Sequence, residues 1–394
     1  EAFSALVYKT LIDPFVGRIS FVKVMSGVLT SDTQVVNVQK DKAEKVAQIF
    51  IIKGKHQLAV GKLFTGDLGA IVKLQYTQTN DTLATKAKLV RYPSIVFPEG
   101  LLAMSIWPKS KNDEDKMSTS LQRIEEEDPS FKMVKNGETN ELVVYGLGDQ
   151  HLDVVVNKLH NKYKVDVDLK EPRIPYRETI RSTVTVEGKH KKQSGGAGQF
   201  GHVFVTFEPC DSEDMVFEEK VFGGAVPKQY FPAVEQGLRE AMVKGVLAGY
   251  RVVGVKATLI DGKYHEVDSK EIAFKMAARL AYKAGMPLAK PALLEPIVKI
   301  SVTIPEEYTG TVIGDFNKRR GLILGMELND EGEQVVSAEV PMSEVMRYST
   351  ELRSFTQGIG TYTQVFDRYE PAPQPIADKV VANAKHHMDN EEDE

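Results

Sequence analysis

Three proline-bearing stretches, around Tyr92-Pro93 to Pro98, Glu171-Pro172-Arg173-Ile174-Pro175 and Pro291 to Pro296, cut this chain into four segments. Two of those segments repeat one order of elements, and that repetition constrains the fold most. In the first, a strand over 101–107 leads to a helix with Met117, Leu121 and Ile124 on one face, stopped at Asp128-Pro129. Strands follow near 131–134 and 141–145. A second helix starts after Gly148, capped by Asp149, with Leu152, Val155, Val156 and Leu159 inward, and a strand over 164–169 closes the set. The later segment runs through a strand at 297–304, a helix with Val312, Ile313 and Phe316, strands near 322–328 and 334–340, a helix from Ser343 and a strand at 362–366. Both read β-α-β-β-α-β, the split βαβ arrangement.

The first ninety or so residues alternate apolar and polar positions, as in Phe3/Ala5/Val7, Ile19/Phe21 and Val46/Gln48/Phe50. Turn signals such as Asp13-Pro14, Ser26-Gly27 and Thr65-Gly66-Asp67 separate short runs, which predicts a small antiparallel barrel. Between the two repeated units, strands dominate from 178 to 217. A helix opened by Pro227 then carries Phe231, Val234, Leu238, Ala241 and Met242 inward. A strand at 252–259 and a loop from Ile260 to Val267 lead to a helix with Ile272, Met276 and Leu280 on its buried side, capped by Asp268 with Glu271. A last helix covers 376–385. The fold class expected is multi-domain β and α+β: a barrel over 1–92, split units over 99–171 and 291–370, an α+β domain over 172–290 completed by 374–388, and an acidic tail at 389–394.

Charge adds a constraint. The five acidic groups of Asp389-Asn390-Glu391-Glu392-Asp393-Glu394 equal the whole formal charge of −5, so the rest of the chain is balanced and any nucleic-acid surface must be local. The single cysteine, Cys210, excludes an internal disulfide and fits a reducing, cytoplasmic setting; a half-buried thiol at a strand end is expected there. No apolar run is long enough for a membrane span. The chain starts Glu1-Ala2-Phe3 without an initiator Met and is expected to be a piece of a longer polypeptide.

The segment most suggestive of function is Gly188-Lys189-His190-Lys191-Lys192-Gln193-Ser194-Gly195-Gly196-Ala197-Gly198-Gln199-Phe200-Gly201. Gly196 to Gly201 matches G-x-G-x-x-G formally, but His202 to Phe207 alternates as a strand where a dinucleotide site needs a helix. A plain hairpin loop is one reading. The other is a bare backbone that approaches RNA closely, with Lys189, Lys191 and Lys192 on phosphates. His265 is structural or exposed on one reading and functional on the other. In Gly314-Asp315-Phe316-Asn317-Lys318-Arg319-Arg320-Gly321, three cations sit at a helix end, where they either complement the helix dipole or bind phosphate. No Gly-Lys pair is followed by Ser or Thr, so a P-loop and its nucleotide chemistry are not expected in this chain. His386-His387 beside the tail makes no convincing metal site, and no catalytic cluster is apparent.

Several long motifs together resemble one family. They are Glu126-Glu127-Asp128-Pro129-Ser130-Phe131, Tyr176-Arg177-Glu178-Thr179-Ile180, Lys192-Gln193-Ser194-Gly195-Gly196 with Gly198-Gln199, His265 with Val267-Asp268-Ser269, Glu295-Pro296, and Gly314-Asp315 with Arg319-Arg320-Gly321. In order and spacing, from about Ala5 to about Tyr369, they resemble the part of bacterial elongation factor G that follows its GTPase domain. The resemblance implies a translation-factor barrel (domain II), two ferredoxin-like units (III and V) and, between these, a ribosomal-S5-like domain IV.

The resemblance further implies a ribosome-binding portion that promotes movement of tRNA and mRNA by inserting the domain IV tip into the decoding region. Its implied contacts are 16S and 23S rRNA, decoding-site tRNA and mRNA, and a stalk-base protein. The implied tip residues are Lys191, Lys192, Gln193, Ser194, Gly195, Gly196, Ala197, Gly198, Gln199, Tyr264 and His265. The implied domain V contacts to rRNA are Asn317, Lys318, Arg319 and Arg320. GTP and Mg would bind in a GTPase domain acting in cis; no cofactor or metal is expected in this chain, and a monomer is expected. Three departures bear on the role: Ala197 where many relatives carry Arg, Gly148-Asp149-Gln150-His151-Leu152 in place of Gly-Glu-Leu-His-Leu, and a segment Met25 to Asp32 lacking a glycine common there. They leave recycling or protection of ribosomes as the alternative role.

Overall fold

The computed structural model describes residues 1–13, 16–54, 56–192 and 198–391. It divides into two compact units: one is Glu1–Arg173 with Met346–Thr361, the other Ile174–Val345 with Tyr362–Glu394.

The first unit opens with an antiparallel eight-stranded sheet. Its spatial order is Lys42–Val46, Thr33–Asn37, Thr82–Ala84, Ser4–Asp13, Gly17–Ser26, Leu68–Val72, Ile49–Lys53 and His56–Val60. Both ends of that order feed one core. Val46 and Val60 pack with Val7, Val22, Leu29, Ile71 and Leu83, so the sheet curls around its apolar face as a barrel must. The alternation Val46/Gln48/Phe50 is not one strand, as expected. The chain breaks at residues 47 and 48 and resumes one position out of phase, which buries Ile49 instead of Phe50.

The split unit that follows has strands in the order Lys132–Lys135, Leu142–Gly146, Leu102–Pro108 and Val167–Lys170, all antiparallel. Its helices, Lys111–Glu127 and Asp149–Lys158, cover one face with Met117, Leu121, Ile124, Leu152 and Val155. Asp149 does not cap the second helix. It lies inside the first turn, and its Oδ2 accepts from Thr350 Oγ1 at 2.7 Å. Thr350 belongs to the helix Tyr348–Phe355, which starts later than expected and packs in this first unit rather than with the second split unit. An ion pair from Arg347 to Glu171, 2.9 Å, holds the same segment.

In the second unit the longest strand is Pro291–Ile304: the strand expected over 297–304 begins earlier and takes in residues 291–296, where sequence reading expects a linker. Its first four residues pair with Arg177–Ile180, and residues 297–304 pair with Gln334–Pro341. Glu295 and Pro296 fall between these two ladders. Leu322–Leu328 and Thr361–Pro371 complete that sheet, with the helix Thr309–Lys318 against it.

A second sheet in this unit has the order Val184–Lys192, Gln199–Pro209, Val255–Lys263 and Val216–Glu219, the last pair parallel. The helix Glu271–Gly285 packs on it, and Phe231–Ala241 packs against that helix. The buried face of the second helix is not Ile272, Met276 and Leu280. Ile272 and Leu280 are exposed, and Ala273, Phe274, Ala277, Ala278, Ala281 and Tyr282 face inward. Small residues win that face because the helix lies very close to the sheet. An added Cβ at Gly188 would stand 2.0 Å from Ala277 O, and one at Gly201 2.5 Å from Ala273 O. Cys210 is half-buried just past a strand end, as expected. The C-terminal helix Gln374–Glu391 docks Ala377 and Val380 near Tyr176, Tyr250 and Leu293, a surface its sequence does not disclose.

Candidate nucleic-acid interface

The glycine-rich segment is two strands and a connection. Val184–Lys192 and Gln199–Pro209 pair in unbroken antiparallel register from Val184↔Phe207 to Lys192↔Gln199. Side chains alternate across a strand. Gly188 therefore faces the helix Glu271–Gly285, while Glu187, Lys189 and Lys191 take the opposite face. Lys189, Lys191 and Lys192 are all exposed. Of the expected tip residues, Gln193, Ser194, Gly195, Gly196 and Ala197 lie outside the described residues.

The two ends of that connection show what the glycines there do. Gly198 N–H donates to Asp268 Oδ1 at 3.0 Å, and a Cβ on Gly198 would meet that carboxylate at 2.9 Å. Gly201 is bare because the helix backbone lies against it. These two glycines were expected to approach RNA. In the structure they admit neighbours from within the domain, and Gly198 is buried. Gln199 Oε1 accepts from the His190 ring Nε2–H at 3.0 Å.

The second loop, residues 264–269, closes onto the end of the hairpin. His265 N–H donates to Ser269 Oγ at 2.8 Å, and Ser269 Oγ–H donates to Phe200 O at 2.8 Å. Phe200 N–H donates to Asp268 O at 3.0 Å, and Tyr230 OH donates to Ser269 O at 3.1 Å. Asp268 is thus not the helix cap expected; the cap position is Lys270, with no side-chain bond, and the Asp268 carboxylate serves Gly198 instead. His265 meets Phe200 edge-on, ring centres 6.5 Å apart, and its side chain is 57% exposed. Tyr264 beside it is 45% exposed. Loop and hairpin end therefore form one surface carrying Lys191, Lys192, Gln199, Tyr264 and His265.

The second expected patch divides. Asn317 and Lys318 are exposed at the end of the helix Thr309–Lys318. Arg319 is turned inward. Its Nε donates to Asp315 Oδ2 at 2.7 Å and its Nη1 to Glu344 O at 2.6 Å. Arg320 makes a two-pronged bond to buried Glu295, 2.8 and 2.9 Å, and reaches Glu344 Oε1 at 3.2 Å. It does so from a left-handed backbone, φ +59°, while Gly321 N–H closes the helix on Phe316 O at 2.8 Å. Glycine is usual at such a helix end. Arginine costs about 1 kcal/mol of backbone strain there, which the ion pair offsets. The ion pairs with Glu295 and Glu344 also raise the Arg320 guanidinium above its ordinary value.

Other motif residues likewise turn inward, which sequence reading missed. Glu178, 1% exposed, accepts from the backbone N–H of Leu247 and Ala248, each at 2.8 Å, and of Tyr250 at 3.1 Å. Asp128 Oδ1 accepts from Ser130 N and Oγ, and its Oδ2 pairs with His151 Nε2 at 3.0 Å. Burial works against the Asp128 anion, but the Ser130 bonds and His151 outweigh it and lower its pKa. Glu127 accepts from Ile12 N at 2.8 Å and from Lys162 at 2.6 Å. A carboxylate so far from its partner in sequence carries no local pattern by which to find it.

Four family models match in succession: Elongation factor G domain 2 over residues 2–86, domain III over 97–171, domain IV over 172–290, and the Elongation factor G C-terminus over 292–380. Among solved structures, a crystal structure of a protein from Thermus thermophilus superposes with a TM-score of 0.86 at 36% identity. The match covers 98% of this chain and 58% of that one, so the chain spans a little over half the length of that relative.

Proposed function

The chain belongs to the elongation factor G family, with its domains II, III, IV and C-terminal part in order, and from that premise we propose that it is the ribosome-facing portion of a translation factor. In this reading the domain IV tip enters the decoding region and occupies the space that tRNA and mRNA vacate as they move. No bond is made or broken there; GTP and Mg act in a GTPase domain outside the residues of this chain. The single observation that supports the reading best is the closure of loop 264–269 onto the hairpin end through Asp268 and Ser269. It makes one exposed surface of cations, an amide, a phenol and an imidazole from two distant parts of the sequence. Lysines of that surface neutralise phosphates, and Gln199, Tyr264 and His265 offer hydrogen bonds to ribose or base edges of irregular RNA. Asn317 and Lys318 are the domain V residues left to meet 23S rRNA. Arg319 and Arg320 act there by shaping the helix end.

The test is binding of the chain to small ribosomal subunits over a salt series. Lys191→Glu with Lys192→Glu should weaken binding and flatten the plot of log K against log salt by about 0.7–0.9 for each phosphate that is no longer neutralised. An unchanged slope would refute the placement of these lysines on RNA. Chemical protection of the rRNA by the same chain separates insertion at the decoding region from the recycling alternative, which predicts protection elsewhere.

A further inference from the structure

The hydrogen bonds around His265 have a direction. Its Nδ1 lies 3.3 Å from Val267 N and 3.2 Å from Asp268 N, and both are backbone N–H donors aimed at it. A hydrogen on Nδ1 would oppose both. The other group facing that nitrogen is Asp268 Oδ2, at 3.6 Å, beyond hydrogen-bond reach. The same carboxylate is engaged through Oδ1 by Gly198 N–H. When one ring nitrogen accepts, the neutral ring carries its hydrogen on the other. Nε2 has no hydrogen-bond partner among the described residues, and the side chain is more than half exposed.

We infer that Asp268 and Ser269 are positioning residues that lock His265 in its Nε2–H tautomer and present that hydrogen to solvent, so that this point of the tip is a donor and its match is an acceptor oxygen of RNA, phosphate or ribose. Ser269 sets the loop: its hydroxyl accepts from His265 N–H and donates to Phe200 O, and its own N–H donates to His265 O at 3.0 Å. Asp268 sets the distance between that loop and the glycine segment. The partner half of the inference rests on the ribosomal reading above; the tautomer half does not.

The two halves are tested separately. In the labelled chain at pH 8.5, where an ordinary imidazole is neutral, two-bond proton–nitrogen correlation spectra distinguish the tautomers. His265 is expected as Nε2–H. Ser269→Ala should release it into a mixture, and Ser269→Thr, which keeps a hydroxyl, should restore it. Dominant Nδ1–H in the unaltered chain overturns the inference whatever the binding data show. In the second arm the probe is the small ribosomal subunit. His265→Asn keeps an acceptor for the 267 and 268 N–H groups but has no donor at the Nε2 position, since its amide N–H stops short of it. It should weaken binding about tenfold, as loss of one charge-assisted hydrogen bond does. Ser269→Ala should lose a similar factor, and the double variant little more, since both remove one interaction. The expected tautomer with binding unmoved by either substitution overturns the RNA half. If the unaltered chain fails to bind subunits at low salt, the ribosomal reading itself falls, and the spectra still decide the tautomer.

Discussion

Replacing Gly188 by Ala should destabilise the second unit and disturb its tip, although the substitution adds one methyl group in the middle of a strand. The new Cβ would stand 2.0 Å from Ala277 O, 2.6 Å from Ala281 N and 2.8 Å from Ala281 Cβ. These are backbone atoms and the root of a side chain, so no rotamer change relieves the clash. The helix Glu271–Gly285 must retreat by roughly 1 Å, and a gap of that size forfeits about a quarter to a half of the dispersion energy along its alanine face. Overpacking of this kind costs about 1–3 kcal/mol, and a backbone obstacle places it in the upper half. Against this, Ala in place of Gly restricts the unfolded chain and contributes about 0.4–1 kcal/mol. The net is a loss of about 2 kcal/mol, or about 4–8 °C in the melting transition of a unit this size. Calorimetry with hydrogen exchange on 271–285 measures both effects. Gly61→Ala, in the first unit, is the control, since a Cβ there meets nothing within 4 Å and its backbone is not left-handed; with no clash to oppose the unfolded-chain contribution, the transition of that unit should rise by about 1–4 °C. A Gly188→Ala chain with the same transition and the same helix protection as the unaltered one would refute the close-packing argument.

Glu178→Gln should destabilise the same unit by about 2–3 kcal/mol, because the amide puts an N–H where backbone N–H groups need an acceptor; denaturant titration followed by exchange at residues 247–250 reads it. The first unit should lose stability in acid through Asp128. Its pKa is lowered on folding, so its contribution is complete above the ordinary carboxylate value near 3.9 and is lost as pH falls through the lower folded value. Asp128→Asn should flatten the acid limb of a melting-temperature profile below about pH 4, and an unchanged limb would count against the assignment. Arg320→Lys should cost about 1–3 kcal/mol, since an ammonium cannot make the two-pronged bond to buried Glu295. If it weakens subunit binding while stability holds, Arg320 contacts RNA directly.

The sequence by itself determined most of the order of elements, the first split βαβ unit, the strands and first helix of the second, and the resemblance that proved to be the family. Those rest on local periodicity, turn chemistry and short motifs, which a linear text carries. The tertiary structure decided what the motifs are for. Glu178, Glu295, Glu127 and Arg320 stand among exposed-type residues in sequence, yet each is satisfied by a group far along the chain, and no local pattern encodes that distance. The helix Glu271–Gly285 shows the same limit. Its sequence offers Ile272, Met276 and Leu280 as an apolar stripe, but the glycines of a neighbouring hairpin admit only the alanine face. Lys191, Lys192 and His265 were legible as candidates because cations and an imidazole beside glycines are unusual chemistry. That His265 is fixed by Asp268 and Ser269, and which of its nitrogens accepts, depends on hydrogen-bond directions that exist only once the loop has closed on the strand.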